Sequence, residues 1–203
     1  MDVPAGARTV TVAADRLARW LAGFGERHGA TTTTTTADVV ELAGADGARA
    51  WLAVPFPPLA GELVPHVTQR RRVGVLLVRR GGYAVGVFDG ADLVASKVGS
   101  SYVQATTKAG GWSQQRYARR RANQASVAFG AAADVAARLL PTASLDALVV
   151  GGDRDAVRGV LADARLAALP APADPWLQVK DPRLRVLAAT PEQFRAVRIH
   201  LVP

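Results

Sequence analysis

Val73-Gly74-Val75-Leu76-Leu77-Val78 is followed by Arg80-Gly81-Gly82, then by Tyr83-Ala84-Val85-Gly86-Val87-Phe88, Asp89-Gly90 and Leu93-Val94-Ala95-Ser96-Lys97-Val98. Short runs rich in β-branched and aromatic residues, divided by Gly-Gly and Asp-Gly pairs, read as an antiparallel meander over 73–78, 83–88 and 93–98. The near-continuous apolar character of the first run implies a sheet covered on both faces. Downstream, helical character extends from Gln114 to about residue 140, loosened at Gly130, and 145–150 reads as a buried strand. Gly151-Gly152-Asp153 leads into a helix with Val157, Val160, Leu161 and Ala164 inward. Final strands are expected at 176–179, 185–187 and 197–202, with a short helix begun by Thr190-Pro191-Glu192. A meander, a long helix and a β-α-β continuation make an α/β domain with a mixed sheet and flanking helices.

Upstream of the meander the pattern is smaller in scale. A strand is expected at 8–12, and Leu17, Trp20, Leu21 and Phe24 stand at i, i+3, i+4 and i+7, the spacing of a helix face. The threonine run 31–36 and residues 38–42 read as extended chain, with a returning strand at 50–54. Pro55, Pro57, Pro58 and Pro65 punctuate the stretch between that strand and the meander. The expected organisation is a small N-terminal α/β extension, residues 1–66, and a main domain, residues 67–203.

Composition narrows the function. The chain has 203 residues, 49% of them hydrophobic, enough to bury a core without disulfides or metal. It has no cysteine, which removes disulfides, thiolate zinc sites and cysteine nucleophiles together. The start lacks the pattern of a secretion signal, and no stretch approaches about 18 apolar residues, so a cytoplasmic protein without membrane contact is expected. The net charge of +8 points to a nucleic-acid partner, and it is concentrated. Between Asp92 and Asp134 lie Lys97, Lys108, Arg116, Arg119, Arg120 and Arg121 and no acid.

Searches for familiar catalytic groups find little. His28, His66 and His200 have no metal-ligand spacing and read as surface or structural residues. Asp89 and Asp92 flank a turn whose ordinary residues are Asp and Gly, so no metal is expected there. Gly151-Gly152-Asp153 could offer a helix N-terminus to phosphate, but Asp153 is a better N-cap and would repel an anion. What stands out is 97–124, where a polar loop meets Gly110-Gly111 and then an arginine-rich helix. Glycine permits close backbone approach, and Arg116, Arg119 and Arg120 share one helix face suited to a phosphate backbone. The plainer reading is a turn before a solvated helix.

These residues resemble the catalytic middle domain of archaeal and eukaryotic class-1 release factors, where a Gly-Gly-Gln loop precedes a long basic helix. The closer similarity is to the Vms-type release-factor-like family of peptidyl-tRNA hydrolases, with its Gly-x-x-Gln motif. Gly111-Trp112-Ser113-Gln114 has that spacing, and the resemblance extends over about 67–203. It implies an RNase H-like main domain and a peptidyl-tRNA hydrolase, with Gln114, Gly111 and Gly110 as catalytic residues. It further implies RNA contacts from Lys108, Trp112, Ser113, Gln115, Arg116, Arg119, Arg120 and Arg121. Trp112 stacks on a base or packs the loop root; both readings stand. The implied partners are the large ribosomal subunit and peptidyl-tRNA, met by a monomer that needs no cofactor or metal. Stop-codon reading is not implied, since residues 1–66 carry no such motif. The rival readings are a non-catalytic RNA-binding or ribosome-associated factor on the same fold and a small metal-dependent α/β enzyme.

Overall fold

Alternation of apolar and polar side chains builds the first unit. Arg8–Val12 (β1) turns Val10 and Val12 inward, and Leu17–His28 (α1) follows with the expected apolar face, burying Leu17 and Phe24 completely. Gly29, at φ 75°, ends the helix in a conformation that a side chain would strain. Thr31–Thr35 (β2) forms a fully exposed edge strand, as β-branched residues favour. Val39–Gly44 (β3) and Arg49–Ala53 (β4) alternate inward Val40, Leu42, Ala50 and Leu52 with outward neighbours. Leu63–Thr68 (α2) was not expected from the sequence, because the prolines masked it. Pro65 sits in its first turn, where the missing N–H has no helical acceptor to lose. The structure, a computed structural model, describes residues 6–79, 81–100 and 130–202.

The second unit begins with the meander. Arg72–Arg79 (β5), Gly82–Asp89 (β6) and Asp92–Ser100 (β7) pair antiparallel as expected. Residues 130–139 are helical (α3); the 101–129 part of the expected long helix and loop lies outside the described residues. Ala147–Gly152 (β8), Arg154–Leu161 (α4), Pro172–Leu177 (β9) and Leu184–Ala188 (α5) complete the unit. The sheet order is β7-β6-β5-β8-β9, with β8 and β9 parallel to β5 through helical crossovers. This is a mixed α/β sheet with flanking helices, as expected. Leu76, Val78, Val85, Val87, Leu148 and Val150 pack on Ala132, Val135 and Ala136 of α3 and on Val157 and Val160 of α4. The opposite face is covered at β6 by α5, whose Leu187 stands where a Cβ on Gly86 would meet it at 3.0 Å. The six inner residues of β5 are buried on both faces, which is why its sequence reads as an unbroken apolar run.

Three expectations need correction. Residues 185–187 are helix α5, not a strand. The strand expected at 176–179 is β9, displaced toward the N-terminus over two prolines, which an edge strand tolerates. Residues 197–202 do form a strand, Val197–Val202 (β10), preceded by Pro191–Phe194 (α6), but it joins the first sheet, in the order β1-β10-β4-β3-β2. Val12 pairs with Val197 and Leu52 with Ile199, both antiparallel. The compact units are thus Met1–Arg70 with Pro191–Pro203, and Arg71–Thr190.

Candidate functional site

Strand direction decides which edge of the second sheet can carry a site. β6 is antiparallel to both β5 and β7, and β8 is parallel to β5, so the carboxyl ends of β5, β7 and β8 share one edge. Arg79 pairs with Gly82, Gly82 with Ser100, and Val78 with Gly152, which sets these residues side by side. Strand order also reverses here: the chain runs from β5 outward through β6 and β7, then resumes on the other side at β8. Such a switch point leaves a crevice outside the strand ends, where α/β sheets bind ligands.

A cleft of ≈ 810 Å³ occupies this edge, lined by Arg79, Gly81, Gly82, Val98, Gly99, Ser100, Asp153 and the Lys180-Asp181-Pro182-Arg183 segment. Its walls are fixed by close packing. Gly152 adopts φ 95°, and a Cβ there would stand 2.2 Å from the Val78 carbonyl oxygen. That oxygen accepts the Asp153 N–H at 2.8 Å. The Asp153 carboxylate in turn accepts the N–H groups of Asp155 and Ala156 at 3.1 and 3.2 Å, capping α4 as the sequence suggested. Trp176 donates its indole N–H to the Gly152 carbonyl at 3.2 Å, and the Arg154 guanidinium lies 4.4 Å from the centre of the Trp176 ring.

The electrostatics of the cleft are positive. Arg183 is paired with Asp181 at 2.5 Å, and Asp153 is engaged by the helix it caps. Arg79 and Lys180 are exposed, and neither forms an ion pair among the described residues. Two cations with no ion-pair partner among the described residues, on a rigid edge, suit an anionic group such as a phosphate. Sequence reading passed over these groups, because Arg79 lies about a hundred residues before Lys180 and Arg183 and none of them carries a motif. Farther away, Arg165 bonds both Asp163 and Asp134, the latter on α3, and holds the Asp163 carboxyl down at about 2. Burial lowers the Arg71 guanidinium below its ordinary value, partly offset by the Asp146 charge.

The residues expected to carry chemistry, Lys108, Gly110, Gly111, Trp112, Ser113, Gln114, Gln115, Arg116, Arg119, Arg120 and Arg121, lie outside the described residues. Their flanks do not. Ser100 ends β7 in the wall of the cleft. On the other side, Leu140 lies at the opposite end of the sheet, where it approaches Gly74 near the beginning of β5. Ten helical residues rise ~15 Å, so Gly130, at the other end of α3, stands well away from Leu140.

The histidines are structural. His28 bonds Asp46 at 2.9 Å, the buried His66 bonds the Pro55 carbonyl at 2.9 Å, and His200 bonds Thr9 at 2.9 Å. No group of three or more potential metal ligands occurs among the described residues.

Comparison with protein families then gives a match to the Actinobacteria/chloroflexi VLRF1 release factor family, over residues 71–200. That span is well over half of the chain. The chain belongs to the VLRF1 release factor family. The matched span covers the whole meander, the cleft edge and the Gly111-x-x-Gln114 segment. A search of curated proteins finds no match. Among solved structures, the chain is similar to an archaeal translation termination factor, aRF1, at 19% identity and a TM-score of 0.43, over 72% of this chain and 44% of that one. It is also similar to an archaeal protein at 14% identity and a TM-score of 0.40, over 95% of this chain and 69% of that one. The chain therefore spans less than half the length of the archaeal termination factor. Among its described residues no helix is long and apolar enough to cross a membrane.

Proposed function

We propose that the protein is a codon-independent peptidyl-tRNA hydrolase that acts on the large ribosomal subunit, releasing nascent peptide from stalled or split complexes. The observation that carries this reading is the family match across residues 71–200, which takes in Gly111-Trp112-Ser113-Gln114. Arg79 and Lys180, in the cleft whose wall includes Ser100 at the end of β7, support it, since an RNA partner supplies negative charge there. In the proposed reaction, water adds to the carbonyl carbon of the ester between peptide and terminal tRNA ribose. The ester C–O bond breaks, and the ribose oxygen leaves with the proton. Gln114 does not titrate near neutrality and so cannot be the base. It orients the water and donates a hydrogen bond to the developing oxyanion, while the RNA supplies the remaining groups. Gly110 and Gly111 admit the backbone to a narrow cavity, and Lys108, Arg116, Arg119 and Arg120 hold phosphates around it. No metal or cofactor takes part in this scheme.

The test is peptide release from purified large subunits carrying labelled peptidyl-tRNA, comparing the parent with Gln114→Ala. Loss of a positioned oxyanion donor lowers the rate by roughly 10²–10³-fold with ribosome binding retained. If parent and variant both bind and neither releases peptide, the hydrolase reading fails and the protein is a binding factor.

A further inference from the structure

We propose that the groove between β1 and α1 is a second RNA-binding surface, with no residue in common with the cleft of the second unit. It deepens the ribosomal reading above, and rests on it only in choosing RNA among polyanions. The groove, of ≈ 1060 Å³, is floored by Thr11, Val12 and Ala13 of the sheet edge and walled by α1. Arg16, Trp20, Gly23 and Arg27 stand at i, i+4, i+7 and i+11, with Arg19 beside them, so they form one face. All three arginines are exposed, and none forms an ion pair among the described residues, although Glu26 lies in the same wall.

Two of the three arginines stand at the end of α1 where the helix itself does not favour a cation. Arg16 is the N-cap residue of α1 without a capping side-chain bond, and Arg19 is in its first turn. Cations there oppose the helix dipole, which favours negative charge at that end. An anion in the groove would relieve both effects. Arg27 also folds back along the helix, since its guanidinium nitrogen would lie 3.2 Å from a Cβ on Gly23. A side chain at that position would displace it.

The occupant follows from the chemistry. Trp20 is partly buried, stacked on Phe24 with ring centroids 5.7 Å apart, and forms part of the groove wall. Guanidinium groups along a groove with an aromatic wall match a nucleic-acid backbone with a base or ribose against the ring. A lipid surface fits less well. It calls for apolar side chains to insert, and the large exposed ones among the described residues, Val94 and Leu184, belong to the other unit.

The experiment measures binding of the full chain to protein-free large-subunit ribosomal RNA across a salt series. Arg19→Glu/Arg27→Glu is compared with a charge-matched control, Arg158→Glu/Arg185→Glu, and with Arg19→Lys/Arg27→Lys. Removing two phosphate contacts lowers the slope of log affinity against log salt by roughly 1.4–1.8, and weakens binding ~10-fold or more near 0.1 M salt. The control and the lysine variant should stay near the parent. Parent-like slope and affinity in the glutamate variant, at an unchanged melting temperature, overturn the proposal. Tighter binding of the parent to phosphatidylserine vesicles or to polyglutamate than to the RNA, lost in the same variant, overturns the choice of RNA. Binding is read without peptide release, so a failed hydrolase reading and a failed groove give different results.

Discussion

Replacing Gly152 with alanine should disrupt the cleft edge from inside. The added Cβ meets the Val78 carbonyl oxygen at 2.2 Å and its carbon at 3.0 Å, both backbone atoms that no rotamer change can move. The φ of 95° adds strain of ~1–2 kcal/mol for a residue with a side chain. Relieving the overlap means separating β8 from the end of β5, which breaks the 2.8 Å bond from the Asp153 N–H. A lost backbone hydrogen bond costs a further ~1 kcal/mol, so the total is about 3 kcal/mol with the packing loss. For a chain of this size that is a drop in melting temperature of roughly 6–12 °C. Gly130→Ala is the control: nothing among the described residues lies within 4 Å of its Cβ, and alanine favours a helix. Thermal unfolding followed by circular dichroism gives both values. A Gly152→Ala protein melting within about 2 °C of the parent would refute the idea that this close approach is rigid.

Charge reversal at Arg79 and Lys180 should weaken ribosome binding and its salt dependence with little change in stability, because both side chains are exposed and unpaired among the described residues. Equal affinity in sedimentation assays would show that the cleft faces away from the RNA. Asp163 gives a pH prediction. Its carboxyl titrates at about 2 rather than 3.8, chiefly through the Arg165 hydrogen bonds, so its stabilising contribution is whole above pH ~4 and disappears as the pH falls toward 2. Asp163→Asn should therefore lower the melting temperature at pH 7, with the gap from the parent closing between pH 4 and 2. A gap that stays constant over that range would show that the effect does not come from the carboxylate charge.

What the sequence made legible was mostly local. The meander could be read because turn glycines and β-branched runs alternate within thirty residues, and α1 because its apolar residues keep a helical period. Helix α5 was misread because five residues, Leu184 to Ala188, are too few to separate a period of 3.6 from one of 2. The prolines of β9 argued against a strand at its true position, and only its place at a sheet edge makes them acceptable. Alternation in 197–202 marked a strand with one buried face but could not name its neighbours, since pairing with β1 spans nearly the whole chain. The site divides in the same way. Gly111 and Gln114 were singled out by a family resemblance that rests on contiguous residues, and they lie outside the described residues. Arg79 and Lys180 meet only once β5 and the segment after β9 are folded, so no local pattern announces them.

The return of β10 to the first sheet also fixes an order of events during synthesis. β1 and β4 are made early, yet the strand that pairs with both comes after the whole of Arg71–Thr190. Joining Val12 to Val197 through a flexible chain would close a loop of nearly the full length, at an entropic cost of ~4–5 kcal/mol. A second unit that has already folded removes most of that cost by replacing loose chain with a fixed span. The inserted unit should therefore form first on the nascent chain, while β1 and β4 wait with open edges. Until β10 emerges, those edges are the part of the chain most exposed to mispairing with another molecule.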